Sequence, residues 1–401
     1  MNLDSQQTIR ESISKVADVV WFKNLTGLRF IAAAMVIIDH IEQARNLFGF
    51  KNIWKLTGVY ALGDKAVTLF FVLSGFLITY LLVKEKEISQ NVSIKNFYIR
   101  RIVRIWPLYY LIVILALFII PNFSFFQWPQ WSEYIHYNFA AKCLLFLFIL
   151  PNINQVIYPA IPFGNQLWSI GVEEQFYLFW PLIIKYIKYP LIFLICIVIG
   201  MPILVNGLYY ISNKNITNNE SLKIILNFFK NFLSLTRIDC MAVGGLASFI
   251  LFNKKKKILD FIFLPIVQIV NFTLLFWVFY TGFYFNYISN LIHGIIFSIL
   301  ILNLAANPKS LLRLEWKPLS YLGKISYGIY MYHPLCIFLS IKLFSFLKYN
   351  LDNIYTWIFL YFTTFLITIL LAGISYKFFE FPLIKLKYLF MRSQLPLIKT
   401  S

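Results

Sequence analysis

The chain has 401 residues, of which 60% are hydrophobic and only 13% are charged. Apolar runs near 20 residues recur between residues 25 and 376, and each is long enough to cross a bilayer as a helix. This composition excludes a soluble globular enzyme and predicts an all-α polytopic integral membrane protein. The net charge of +19 is also typical of proteins that bind nucleic acid or anionic lipid, so the location of the basic residues has to decide between these explanations.

The chain begins with a charged segment, residues 1–24, that lacks the apolar core of a cleaved signal peptide. We predict that this segment stays in the cytoplasm, that residues 25–385 form the transmembrane domain, and that residues 386–401 form a cytoplasmic tail. With both termini inside, about ten spans place most Lys and Arg residues on the cytoplasmic side, which is the usual bias. The charge therefore reflects topology and predicts no nucleic-acid partner. The predicted spans cover residues 25–43, 59–83, 105–121, 166–184, 189–211, 236–252, 260–281, 288–306, 325–347 and 355–376.

Between the spans, the segment 140–150 is apolar but only about a dozen residues long and ends at Pro151. We predict an interfacial or re-entrant segment there rather than an eleventh span. Segments 44–58, 122–165 and 212–235 are predicted to be outer loops. The four cysteines lack the paired spacing of a disulfide or zinc framework, and no metal site is predicted.

In the first span, Arg29 and His40 are set 11 residues apart. A helix turns about 100° per residue, so 11 steps exceed three full turns by about 20° and rise about 16 Å. The two side chains therefore share one helix face at different depths. Ionisable residues at membrane depth usually face a polar interior, so the pair predicts a site reached from both sides of the membrane.

The ionisable residues near the spans, including Arg29 and His40, fall into two groups. The outer group combines a histidine with carboxylates, the ingredients of general base catalysis in which a carboxylate orients the imidazole. The inner group offers guanidinium forks, which bond phosphates bidentately and stay charged when partly buried. A ligand with phosphates inside and a reacting group near His40 would use both. The outer residues are Asp39, His40, Glu42, Asp64, Glu173, Glu174, Arg237 and Asp239, and the inner ones are Arg29, Arg100, Arg101, Arg104, Lys324 and Glu380.

Six strings closely resemble the membrane-bound acyltransferase 3 family in order and spacing over residues 25 to about 385. They are Leu25-Thr-Gly-Leu-Arg29 running to His40, Phe70-Phe-Val-Leu-Ser74-Gly75, Arg100-Arg101-Ile-Val-Arg104, Leu167-Trp168-Ser169-Ile-Gly-Val-Glu173-Glu174, Arg237-Ile-Asp239, and Ser326-Tyr327 running to His333-Pro334. Any one string is weak evidence, but six in family order across ten predicted spans are highly specific.

The resemblance implies a multi-pass O-acyltransferase of the bacterial inner membrane. Such an enzyme modifies a cell-surface or secreted carbohydrate, most often with acetyl groups from cytoplasmic acetyl-CoA. The implied partners are acyl-CoA as donor substrate, a carbohydrate or lipid-linked glycan as acceptor, and membrane lipid, with no permanently bound cofactor. Many relatives carry an extracytoplasmic esterase-like domain after the membrane part, and we expect a stand-alone form here. The oligomeric state is left open by the sequence.

The family's arginine–histidine motif falls on Arg29 and His40, which the resemblance makes the first candidates for essential residues. We predict that His40 acts as general base on a sugar hydroxyl, or carries the acyl group itself, and that Asp39 or Glu173 orients its ring. Glu173 and Glu174 are both catalytic candidates, but neighbours on a helix point about 100° apart, so only one is expected to act.

For the donor, the phosphates of CoA are predicted to bind near Arg101, Arg104 and Arg29. For the acceptor, the candidates are Trp168 and the pair Arg237 and Asp239, although these two have an equally good explanation as a structural ion pair. A helix kink beside Pro334 accounts for His333, and helix packing accounts for Ser74 at least as well as a nucleophilic role.

Two other functions also fit the sequence. A transporter or flippase of a lipid-linked sugar would line its pathway with the same buried charges, although no inverted repeat is visible. An acyltransferase acting on a small molecule or a lipid would keep the chemistry and change the acceptor. Consumption of acyl-CoA separates a transferase from a carrier.

Overall fold

The computed structural model describes residues 22–213 and 219–386, and the regular structure in these ranges is entirely helical. Most of the predicted cytoplasmic segment 1–24 and of the predicted tail 386–401 lies outside the described residues. The long helices are α1 (Lys23–Leu47), α3 (Leu62–Ser89), α4 (Ile94–Ile114), α7 (Trp168–Tyr186), α8 (Pro190–Asn213), α9 (Glu220–Thr236), α10 (Ile238–Phe252), α12 (Pro265–Thr281), α13 (Ile288–Ala306), α15 (Ser326–Phe346) and α16 (Ile354–Ser375). The short helices are α2 (Thr57–Tyr60), α5 (Phe139–Leu147), α6 (Pro151–Ile157), α11 (Lys256–Ile262), α14 (Lys317–Lys324) and α17 (Phe381–Lys385).

The all-α membrane architecture is confirmed. In the described part of the chain, eight helices are long and apolar enough to cross a membrane, or nine if α11 and α12, bent by 60°, form one span. A helix is present at each of the ten predicted positions. The helix α7 does not meet the apolarity expected of a span, because Glu173, Glu174 and Gln175 lie in its middle.

Two segments between the predicted spans contain helix that the sequence analysis did not predict. The segment 212–235, predicted as an outer loop, contains α9, in which Asn219 caps the first turn by accepting a hydrogen bond from Leu222 N at 3.2 Å. Its alternating Lys and Asn residues lowered the apparent hydropathy of an amphipathic helix. The arginine-rich stretch before residue 105 is also helical, because α4 begins at Ile94 behind the cap Ser93. The segment 140–150 holds only the nine-residue helix α5, too short to cross a bilayer, as expected.

The most extensive helix contact joins α3 and α10. A Cβ atom built on Gly75 would lie 2.0 Å from Met241 O, and one built on Gly244 would lie 2.0 Å from Val72 O. Glycine is therefore required at both positions for the two backbones to touch, which is how small residues drive helix packing in membranes. This contact holds α3 at the centre of the bundle, where it meets α1 and α7.

Replacing Gly244 by Ala should destabilise the protein by roughly 1–3 kcal/mol, because the added methyl group forces the two backbones apart. Gly200→Ala is the matched control, since nothing lies within 4 Å of that position on α8 and Ala favours a helix. Thermal unfolding in detergent should give a lower Tm for Gly244→Ala and an equal or slightly higher Tm for Gly200→Ala. Equal Tm values for wild type and Gly244→Ala would contradict the packing described for α3 and α10.

Candidate functional site

Arg29 and His40 lie on the single uninterrupted helix α1, as the sequence predicts. Their separation of three turns places them at two levels of the bundle, about 16 Å apart along the helix axis. The His40 side chain is 31% exposed, so one edge of its ring is accessible. The outer level of the site is therefore built around His40 and the inner level around Arg29.

At the outer level, His40 is hydrogen-bonded to a second histidine. The Nδ1 atom of His40 is 2.7 Å from Nε2 of His333, and Nδ1 of His333 is 2.6 Å from the carbonyl oxygen of Tyr330. A carbonyl only accepts, so His333 Nδ1 carries a proton and donates it. In the neutral ring, His333 Nε2 must then accept from His40 Nδ1–H. This assignment leaves Nε2 of His40 without a proton and with its lone pair available.

The predicted orienting residues do not hold the His40 ring. Asp39 Oδ2 is 3.9 Å from His40 Nε2, too far for a hydrogen bond, and Asp39 Oδ1 accepts from the Trp54 indole at 3.1 Å. Glu173 is bonded to other groups at the inner level. His333, which the sequence explained as part of a kink, is fully buried and takes the orienting position. His333 lies in the family motif Ser326–Pro334, and its place in that motif was the sequence evidence for this role.

At the inner level, Glu173 accepts two hydrogen bonds, from Ser74 Oγ at 2.9 Å and from the Tyr177 hydroxyl at 2.9 Å. Glu174 points elsewhere and accepts from the Trp106 indole at 2.9 Å. The expected divergence of the two neighbouring carboxylates is therefore observed. Ser74 does more than pack, because its hydroxyl donates a hydrogen bond to the half-buried Glu173 carboxylate.

Three arginines converge near these carboxylates. Arg101 and Arg104 repel the Arg29 guanidinium electrostatically, whereas Glu173 attracts it. The Nε atoms of Arg29 and Arg101 are buried and have no hydrogen-bond partner among the described residues, and the same holds for Oε1 of Glu174. Arg100 differs, because it pairs with Glu85 at 3.0 Å. Buried unpaired donors cost free energy, so this arrangement favours an anionic ligand.

A small cavity of about 40 Å³ lies beside Arg29 and Glu173. This volume is close to that of one water molecule. Phe70 and Tyr330 also line the cavity, and their rings contact each other edge to face at 6.1 Å. Tyr330 thus belongs to both levels, because its ring faces the Arg29 cavity and its carbonyl holds His333.

The predicted acceptor residues form a second polar cluster at the outer ends of α3 and α10. Arg237 forms an ion pair with Asp64 and donates to Thr68 Oγ1 at 2.7 Å, while Asp239 accepts from the Tyr287 hydroxyl at 2.7 Å. The suggested Arg237–Asp239 ion pair is therefore wrong. The Trp168 ring centroid is 6.0 Å from Arg237 Cζ, which joins this side chain to the cluster.

Within the described ranges, no group of three or more His, Cys, Asp and Glu side chains is arranged to hold a metal ion.

Comparisons with known proteins give one family. The acyltransferase domain model matches residues 22–373. The O-acetyltransferase OatA of Staphylococcus aureus strain NCTC 8325 is 27% identical over 401 aligned residues, which cover 93% of this chain and 59% of that protein. The peptidoglycan O-acetyltransferase OatA of Listeria monocytogenes strain EGD-e is 26% identical, with 90% and 56% covered. The chain thus spans less than two thirds of these relatives. No solved structure matches.

The four histidines provide a direct test of the geometry, because only His40 and His136 are exposed to any extent. Diethyl pyrocarbonate reacts with unprotonated imidazole nitrogens, so it should modify His136 and then His40 while His293 and His333 stay unmodified. Peptide mass spectrometry after graded labelling of the folded protein measures all four rates in one sample. Modification of His333 at the rate of His40 would contradict the buried hydrogen-bonded position of His333.

Proposed function

The chain belongs to the acyltransferase family whose domain model it matches, and we propose that it is a bacterial inner-membrane O-acetyltransferase. It moves an acetyl group from acyl-CoA to a hydroxyl of a cell-envelope carbohydrate. The observation that carries this proposal is the hydrogen-bond chain from Tyr330 through His333 to His40, which leaves the Nε2 lone pair free on a partly exposed imidazole ring. The names of the relatives, which include a peptidoglycan O-acetyltransferase, support the reaction and the class of acceptor.

His40 is the general base of the proposed reaction. Its Nε2 atom takes the proton of the acceptor hydroxyl as the hydroxyl oxygen attacks the thioester carbonyl. The carbon–sulfur bond then breaks, the acetyl group stays on the acceptor oxygen, and the CoA thiolate receives the proton from His40. Asp39, at 3.9 Å from Nε2, favours the protonated ring electrostatically during this step.

The inner level binds the donor in this proposal. Arg29 and Arg101 offer buried, unpartnered Nε atoms, and guanidinium groups form strong charge-assisted hydrogen bonds to phosphate oxygens. Arg104 is exposed and adds positive charge at the entrance. The carboxylate of Glu173 compensates part of the positive charge of these arginines. Ser74 and Tyr177 hold that carboxylate in place by hydrogen bonds. These features support the proposal that the phosphates of acyl-CoA bind at the inner level.

The acyl arm has to cover the distance between the two levels. The separation of about 16 Å along α1 is comparable with the length of a pantetheine arm. The cavity beside Arg29 and Glu173 has a volume of only about 40 Å³, so in this proposal Phe70 and Tyr330, which line it, move aside when the arm enters. A carrier of whole lipid-linked sugars would need a far wider path, and no observation favours that alternative.

Acetyl transfer from radiolabelled acetyl-CoA to cell-envelope glycan, in membranes with equal amounts of each variant, tests the proposal. His40→Ala should lower transfer by about 10²- to 10⁴-fold, the usual contribution of a general base, while His136→Ala keeps wild-type transfer. His333→Leu should reduce kcat and shift its pH profile, because His40 then loses the acceptor that sets its tautomer. His333→Gln offers a carbonyl oxygen in its place and should recover part of kcat.

Two results would contradict this mechanism. Wild-type transfer by His40→Ala would remove His40 as the base. Equal kcat values and pH profiles for His333→Leu and His333→Gln would show that the hydrogen bond to His40 has no part in the reaction.

A further inference from the structure

The cluster around Arg237 has the properties of a binding site that the proton-transfer chemistry does not use. Asp64, Lys65 and Arg237 meet at the outer ends of α3 and α10, and Asp239 and His293 complete the cluster from α10 and α13. Arg237 is 8% exposed, Asp239 is fully buried and His293 is 2% exposed. His293 interacts electrostatically with Lys65, Asp64 and Arg237, which places all four groups close together.

Three of these side chains carry unpaired polar atoms. Arg237 Nε, Asp239 Oδ2 and His293 Nε2 are buried and have no hydrogen-bond partner within the described residues. The other polar atoms of Arg237 and Asp239 do have partners. Arg237 forms an ion pair with Asp64 and donates to Thr68 Oγ1, and Asp239 accepts from the Tyr287 hydroxyl. Buried polar atoms are nearly always satisfied, so a donor and an acceptor left free in one cluster indicate an external partner.

The charge balance indicates what kind of partner fits. Two cationic groups, Lys65 and Arg237, face two carboxylates, Asp64 and Asp239, so their formal charges cancel. The inner level is different, because three arginines outnumber two glutamates there. A balanced cluster with both free donors and free acceptors suits hydroxyl groups, which donate and accept, better than it suits a phosphate or carboxylate.

The cluster is also open to the outside and next to His40. The Asp64 side chain is 44% exposed, so the cluster reaches the surface. A Cβ atom on Gly63 would lie 2.4 Å from Asp39 Oδ2, and Asp39 lies between this glycine and the His40 ring. The Asp39 side chain therefore connects the start of α3, where Asp64 lies, to His40.

From these contacts we infer that Asp64, Arg237, Asp239 and His293 form the subsite for the acceptor, and that they bind the hydroxyl groups of a neutral sugar unit next to the one that is acetylated. This inference rests on the proposed function, because it assigns a substrate to the same transfer reaction. It distinguishes the acceptor residues from the donor residues by the sign and balance of their charges.

The test separates the two substrates by their Michaelis constants, with a neutral N-acetylglucosamine tetrasaccharide as acceptor and acetyl-CoA as donor. Asp239→Asn removes one acceptor atom and a charge, and it should raise KM for the tetrasaccharide by about 10- to 100-fold, with KM for acetyl-CoA unchanged. His293→Gln should raise the tetrasaccharide KM by a smaller factor. Arg101→Ala should show the opposite pattern, a higher KM for acetyl-CoA alone.

Ser298→Ala is the matched control, because Ser298 is a buried polar residue with an unpartnered hydroxyl on the same helix as His293, outside the cluster. Its KM values should equal those of wild type.

If wild type transfers acetyl to the tetrasaccharide and both cluster variants keep its acceptor KM, this inference is wrong and the proposed function stands. If wild type prefers an oligogalacturonate of equal length, the assignment to a neutral sugar is wrong. If wild type transfers acetyl to neither sugar, both the proposed function and this inference are wrong.

Discussion

The cost of holding charged side chains at membrane depth is the constraint on which this structure depends. The bundle meets that cost by bringing opposite charges and hydroxyl donors together between helices. Glu173 on α7 accepts hydrogen bonds from Ser74 on α3 and from Tyr177, and it attracts Arg29 on α1. The close contact of α3 with α10 keeps Ser74 in position for this bond. The packing of small residues between α3 and α10 therefore supports the pairing of charges around Glu173.

Several of the buried polar atoms that lack a partner within the described residues lie at the two proposed binding regions. At the inner level they are guanidinium nitrogens of Arg29 and Arg101 among an excess of positive charge. At the outer ends of α3 and α10 they are a donor of Arg237 and acceptors of Asp239 and His293 in a balanced cluster. The histidine pair lies at the outer level, next to Asp39.

Helix periodicity was enough to predict one part of the site. The 3.6-residue period of a helix places Arg29 and His40 on one face of α1 and turns Glu173 away from Glu174, and both features are observed. Contacts between segments that are far apart in the sequence could not be predicted from helix periodicity. His333 is 293 positions from His40, and Asp64 is 173 positions from Arg237, so each pairing depends on how α15 packs on α1 or α10 packs on α3. The helix α9 was missed because its polar face masks its apolar face.

If the donor binds at the inner level and the acceptor at the outer level, as we propose, the acetyl group crosses the membrane during the reaction. The sidedness of the reaction can be measured in vesicles. Right-side-out vesicles carrying the protein are loaded with radiolabelled acetyl-CoA, and an oligosaccharide that cannot cross the membrane is supplied outside. We expect labelled oligosaccharide outside, with the released CoA retained inside, and no label in vesicles with His40→Ala. Transfer that occurs only when acetyl-CoA and the oligosaccharide are on the same side of the membrane would contradict this proposal.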